Sequence, residues 1–183
     1  MTNSRPPLWQ AELLSELRNS VSKDEFWTSS VERTLTAPIG GNAVHLAVFV
    51  EPFLQFILSG RKTVESRFSL HLCPPHNRVQ KGDIILLKKS GGPVVGISEV
   101  ASVWFYELDP LSWKAIHEKF SKALCADNTD FWRKRKRAAY ATLMRLSRVT
   151  RIHPIRCDKR DRRGWVVLAS DRQNNANLFR NIE

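Results

Sequence analysis

The sequence predicts an α+β fold, a strand-built body with peripheral helices and a helical arm ahead of it, and three observations carry that expectation. Apolar residues at helical spacing fill the first forty positions: Trp9, Leu13, Leu14 and Leu17, then Phe26, Trp27 and Val31. From residue 43 onward the apolar residues fall instead in β-branched runs bounded by turn signals, namely VHLAVFV, IILLKK, VVGISEVASVWFYE and GWVVLAS. Between the last two lies one long helical pattern, opened by Asp109-Pro110 and running to about Leu124.

The 183 residues suffice for one good core and a small appendage. Hydrophobic residues make up 42% and charged residues 26%, the balance of a soluble globular chain, and no apolar run approaches a membrane span. The opening MTNSRPPLWQ lacks the apolar stretch of a secretory leader, so a cytoplasmic location is expected. Cys73, Cys125 and Cys157 are odd in number and widely spaced, which fits a reducing compartment rather than a disulfide framework.

The net charge is +11, and its distribution is uneven. Residues 131–163 carry thirteen Lys or Arg and two Asp, so the whole surplus lies in this segment and the remainder is neutral. Such a patch attracts a polyanion, and nucleic acid is the expected partner. Other readings are a solvated basic face or an anchor for acidic proteins. Arg133, Lys134, Arg135, Lys136 and Arg137 form an unbroken run, and Lys159, Arg160, Arg162 and Arg163 follow in a basic loop. These nine are the expected phosphate contacts. On a helix the first five spread around the circumference and repel one another unless an anion neutralises them. A nuclear-import address is a further reading of that run.

Taken in order, residues 1–40 form the helical arm and linker, 41–170 the body and 171–183 a polar tail in which Leu178 and Phe179 are the docking candidates. With four basic and five acidic residues, the arm is expected to pack on the body or on a protein partner rather than on phosphate. TAPIGGN, 36–42, punctuates the boundary. VHLAVFV reads as a buried strand. After it Pro52 opens a short helix in which Phe53, Phe56, Ile57 and Gly60 share a face, with Gly60 at the C′ stop. KTVESRF then alternates as a strand, placing Val64 and Phe68 on one face and Thr63, Glu65 and Arg67 on the other, with Arg61 and Lys62 in the turn that feeds it. His71, Cys73 and His76 in HLCPPH are too few for a tetrahedral site, so no metal and no cofactor is expected. Ser90-Gly91-Gly92-Pro93 links two strands into a hairpin with Lys88, Lys89 and Ser90 at its tip. Trp104 on the second of them is a candidate to stack on a base, against the alternative of a core ring. In the long helix Leu111, Ile116, Phe120 and Leu124 are expected to face the core. Residues 140–152 serve equally as helix or strand on periodicity alone.

The run Gly60, Lys62, Glu65, Arg67, following the Pro52 helix, resembles the G-x-K-x-x-E-x-R signature of the ASCH domain (activating signal cointegrator homology domain), a member of the PUA-like superfold. QKGDIILLKKSG, PVVGISEVASVWFYE and GWVVLAS follow in matching order, so the resemblance spans about residues 44–170. It implies a small, strongly bent β-barrel with short helices, a strand over much of 140–152, and a cleft lined by the signature with the hairpin tip nearby. The ligand-binding candidates are then Arg61, Lys62, Thr63, Glu65, Arg67, Lys88, Ser90 and Trp104.

No Walker loop, dinucleotide fingerprint, zincin helix or G-x-S-x-G elbow is present, so the cleft carries the functional expectation. The first reading is binding of RNA, another nucleic acid or a modified nucleoside, with Glu65 accepting from an amino group and Arg67 contacting a carbonyl or phosphate oxygen in a fork. The second is hydrolysis of RNA or of an N-acylated nucleoside. Some small ASCH proteins are amidohydrolases on acetylated cytidine in which a lysine activates a threonine three residues later. Lys62 matches that lysine, but Glu65 stands at the threonine position, leaving Lys62 and Glu65 as the candidate catalytic pair, with Glu65 as a base for water. Glu99 is the candidate second acid, or a plain surface charge. The third reading is an interaction module whose arm recruits a protein.

Overall fold

The two longest strands bend the sheet on which everything else is hung. The computed structural model describes residues 7–36 and 41–170; linker residues 37–40 and the tail 171–183, with Leu178 and Phe179, lie outside them. In chain order the elements are α1 (Leu8–Val21), α2 (Glu25–Thr36), β1 (Val44–Phe49), α3 (Phe53–Leu58), β2 (Val64–Ser69), β3 (Ile84–Lys89), β4 (Val94–Glu107), α4 (Pro110–Leu124), α5 (Thr129–Arg133), β5 (Tyr140–Ile155) and β6 (Trp165–Ala169). The strands form one sheet in the order β2-β5-β4-β3-β1-β6, antiparallel except for the β1 and β3 pair.

Along the β4 and β5 pair the register breaks three times, between Val94 and Gly96, Ile97 and Glu99, and Val100 and Ser102. Each irregularity bends the strand and adds twist, so the sheet curls into a half-barrel of the PUA-like kind. Gly96 sits where α3 crosses this bend. A Cβ there would lie 2.8 Å from the Leu58 side chain, closer than atoms can approach.

The curl on one side and the arm on the other bury β1 and β3 on both faces, which is why these two strands are continuously apolar rather than alternating. Val44, Leu46, Ile84 and Leu86 meet Leu13, Leu17, Val21, Trp27 and Val31 of the arm. The alternate residues Ala47, Phe49, Ile85 and Leu87 point into the curl with Leu54 and Ile57 of α3 and Met144 and Leu146 of β5. Ala141 and Leu143, on the opposite face of β5, receive Ile116, Phe120 and Leu124 of α4 and Phe131 of α5. Tertiary pairing thus decides the segment whose periodicity was ambiguous: residues 140–155 are strand.

The arm packs on the body. Trp27 is buried, its Nε1 donates to Thr150 Oγ1 on β5 at 2.9 Å, and its backbone N–H is received by Asp24 Oδ1 at 3.0 Å at the start of α2. A buried polar link ties β1, the turn before β3 and β6. Trp165 Nε1 donates to His45 Nδ1 at 3.2 Å, so the imidazole proton lies on Nε2, which faces Asp83 Oδ2 at 2.9 Å.

At α4, the Asp109 N–H donates to Ser112 Oγ and the Ser112 N–H to Asp109 Oδ1 in a capping box, and Cys125 closes the helix in the left-handed conformation. Leu111, expected in the core, is 78% exposed. It precedes Ile116 by five residues, about 140° around the helix from the buried stripe. Of the expected face of α3 only Ile57 is buried, together with Leu54 beside it, while Phe53 and Phe56 are half-exposed and Gly60 is exposed, because the two-turn helix lies at the rim of the curl. No helix among the described residues is long and apolar enough to cross a membrane.

Because Leu17 contributes a fully buried side chain to the arm-to-sheet contact, Leu17→Ala is expected to lower unfolding stability by about 2–5 kcal/mol. Urea denaturation measures this; an arm that merely tethers would leave the midpoint in place.

Candidate functional site

The site grows from the turn between α3 and β2. Gly60 adopts φ +76° just past the end of α3, a conformation open to glycine at no cost, and the chain reverses so that the Lys62 N–H reaches Phe56 O at 2.9 Å. The Lys62 side chain is thereby turned inward, 3% exposed. Its ammonium donates to Val64 O and to Glu65 Oε2, the latter at 2.6 Å. Glu65 is itself 5% exposed, and its other oxygen, Oε1, lies 2.9 Å from Arg67 Nε as a charge contact rather than an aligned hydrogen bond.

Arg67 reaches further. Its Nη1 donates to Gly164 O just before β6, and its Nη2 to Val48 O in β1, each at 3.1 Å. The guanidinium also lies over the Phe49 and Trp165 rings, 4.9 and 5.4 Å from their centroids. β2 is one edge of the sheet and β6 the other, so this side chain spans the seam where the curl comes round.

Burial opposes ionisation of Glu65, but the adjacent Lys62 and Arg67 cations outweigh it and hold the carboxyl below its usual range. Burial pushes the Lys62 ammonium below its ordinary value, with Glu65 recovering only part of the loss.

Along the seam lies a hollow of about 390 Å³, large enough for a small ligand. Lys62, Glu65 and Arg67 form one wall, and Phe49, Phe53, Phe68 and Phe131 supply the apolar surface. Lys134 and Arg135 form its basic side. Arg135 is half-buried, with its guanidinium 3.7 Å from the Phe131 centroid and Nη1 donating to Phe131 O at 2.7 Å. Burial lowers its pKa from the ordinary value and Glu65 opposes this, leaving an arginine that stays charged at any physiological pH.

The five-cation run is not a helix throughout. α5 is capped at its start by Asn128, whose side chain accepts the Asp130 N–H at 2.8 Å, and it ends at Arg133. Residues 134–137 form turns that return the chain to β5. The turns divide the cations: Lys134 and Arg135 face the seam hollow, Arg133 and Lys136 lie on the other side beside Trp113 and Trp132, and Arg137 is exposed. The later basic loop ends at Gly164, against Arg67. Within it Lys159 has a side chain only 3% exposed and paired with Asp161 at 2.8 Å, and Arg163 forks onto the same carboxylate, holding Asp161 well below the usual carboxylate range. Arg160 and Arg162 are exposed.

Other sequence candidates stand apart from the hollow. Lys88 shares the β3 face of Ile84 and Leu86, away from the curl, and its ammonium folds back to Gly92 O at 2.6 Å. Ser90 is exposed, with its backbone N–H on Phe49 O. Trp104, half-buried, packs against Phe120 of α4, ring centroids 4.9 Å apart, on the outer face of the sheet and away from the hollow. Arg61 lies over the Phe56 ring at 4.2 Å, outside the hollow. Thr63 precedes β2 and is exposed, held by its backbone to Ala123 and Leu146 and not turned to the hollow with Glu65. Glu99, half-buried, lies 3.7 Å from Arg148 and does not line the hollow. His76, one of the potential metal ligands, faces Thr142 Oγ1 and the Phe105 and Tyr140 rings.

The apolar wall escaped the sequence reading. Alternation assigned Phe68 to the face opposite Glu65 and Arg67, yet Glu65, Ser66, Arg67 and Phe68 all line the hollow. β2 pairs only with β5, so the hollow opens off its free edge and receives side chains from both faces.

The architecture is an α+β fold of the ASCH, PUA-like kind. In particular, the chain is similar to a crystal structure of an ASCH protein from Zymomonas mobilis, with TM-score 0.54 and 16% identity over 69% of this chain and 88% of that one. A single-substitution variant of the same protein gives TM-score 0.56 and 16% identity over 71% and 91%. No protein-family model matches the chain, and no curated protein matches it in sequence.

Replacing Glu65 leaves the Lys62 cation buried without its partner, so Glu65→Gln is expected to cost about 3 kcal/mol or more at neutral pH, read from urea midpoints. Glu65 contributes fully above the unfolded carboxyl value of about 4.3, and its contribution is lost as pH falls through the lower folded value. The variant therefore lacks that part of the acid-side loss. On the alkaline side its deficit narrows, because Lys62, already below its ordinary range, sheds its proton.

Proposed function

We propose that this chain binds single-stranded RNA, with one unpaired nucleotide entering the seam hollow and its phosphates meeting the basic run. One observation carries the reading: Lys134 and Arg135, from the segment that holds the whole charge surplus, line the same hollow as Lys62, Glu65 and Arg67 of the signature. Phenylalanine rings offer the apolar surface an unstacked base requires, and sequence-dependent recognition of RNA acts mostly on such splayed bases. Lys134, exposed and lining the hollow, and Arg160 and Arg162, exposed on the loop whose end at Gly164 receives Arg67, are the phosphate contacts this reading favours. The role of Lys62, Glu65 and Arg67 is then to shape the wall and set its field, while Arg135 and Ser66 provide the polar contacts nearest the base. The cytoplasm, where Cys73, Cys125 and Cys157 stay reduced, is the compartment that fits.

Binding is favoured over hydrolysis by the state of Glu65. A carboxylate held below its ordinary range and engaged by two cations is a weak base for water. Thr63, the hydroxyl nearest in sequence, lies outside the hollow.

The affinity for a fluorescent single-stranded RNA, followed by anisotropy from about 50 to about 200 mM salt, is expected to fall log-linearly, and Lys134→Ala to reduce the slope by about 0.7. A salt-independent affinity, or a slope untouched by the substitution, would count against the reading.

A further inference from the structure

A second concave surface lies on the far side of α5. It is a hollow of about 350 Å³ lined by Trp113, Trp132, Arg133 and Lys136. The two indoles meet at a corner, with ring centroids 6.1 Å apart and planes 79° to one another. Both are held from outside the corner. Phe68 stacks parallel to Trp113 at 5.3 Å and 6°, and Trp132 Nε1 donates to Ala126 O at 2.9 Å while His117 packs on its ring at 4.7 Å.

The corner shares a partition with the seam hollow. Phe68 and Phe131 line the seam hollow, and each touches one of the indoles: Phe68 stacks on Trp113, and Phe131 meets Trp132 edge-on at 5.0 Å. The cations divide in the same way, Lys134 and Arg135 on one side, Arg133 and Lys136 on the other. Arg133 is partly neutralised by Asp130 at 2.7 Å, and Lys136 is exposed. Two aromatic hollows, each with its own cations, thus lie back to back along one stretch of chain. Fixed indoles beside cations suit a flat, π-faced group joined to a phosphate.

We propose that the Trp113 and Trp132 corner is a second base-stacking subsite, taking the nucleotide that flanks the one in the seam hollow as a single RNA strand passes over the end of α5. It rests on the reading that the seam hollow takes a nucleotide. The subsite explains why two half-buried indoles stand beside Arg133 and Lys136, and it makes affinity depend on strand length.

Calorimetry on the full chain with AMP and with a tetranucleotide oligoadenylate tests it. Trp113→Leu is expected to weaken tetranucleotide binding about tenfold or more while leaving its salt slope and the AMP affinity unchanged, since the change removes a stacking face and no charge. Trp113→Phe should recover most of the loss. Lys136→Ala, a surface change that does not touch the core, should lower the tetranucleotide salt slope by about 0.7 and spare AMP. The subsite is overturned if Trp113→Leu leaves the tetranucleotide unaffected or weakens both ligands alike, if Trp113→Phe behaves as Trp113→Leu, or if Lys136→Ala leaves the slope in place. A wild-type chain that binds neither ligand overturns the nucleotide reading of the seam hollow, and the subsite with it.

Discussion

Arg67 joins two edges of one sheet that cannot hydrogen-bond to each other. β2 ends the strand order on one side and β6 on the other, and the irregularities along β4 and β5 curl them toward a common seam. There the guanidinium donates to Val48 O and Gly164 O and so stands in for backbone pairing. A planar cation with fixed, diverging donors can do this; a lysine, with one compact ammonium, cannot reach both carbonyls in the same geometry. The carboxylate of Glu65 keeps this cation in place, and Lys62 holds the other oxygen of that carboxylate. What remains of the unpaired seam is the hollow.

The same constraint shifts the meaning of the signature. Its charged groups are largely committed to one another and to the backbone, so they form a rigid polar wall rather than a set of idle reading heads. The rest of the hollow's lining comes from Ser66 within the signature and from residues that sequence order does not connect with it: the phenylalanine rings, Lys134 and Arg135. Buried ion networks of this kind contribute little net stability compared with apolar packing, but losing one member leaves an uncompensated charge. Their value here is geometric.

Charge is likewise sorted by the fold. The basic run stops being helical at Arg133, and the turns that follow deal its cations to two sides of an aromatic partition. In the later loop Asp161 takes up Lys159 and Arg163, leaving Arg160 and Arg162 exposed. Net charge alone does not distinguish cations that are engaged within the protein from those that face solvent.

The sequence by itself determined most of the elements and their order. Gly60 with its positive φ, the Asp109 and Ser112 box, the hairpin glycines and the apolar runs of β1, β3 and β6 are local signals, each set by the conformational preference of a few adjacent residues. It also marked the signature and the segment holding the surplus charge. Only the tertiary structure decided that residues 140–155 are strand, that Trp104 and Lys88 turn away from the hollow, and that Phe68 lines it beside Glu65. These depend on which face of a strand lies inside a curled sheet and on what the free edge of β2 looks out upon. Both are set by pairings between residues far apart in the chain, and neighbouring side chains carry no record of them.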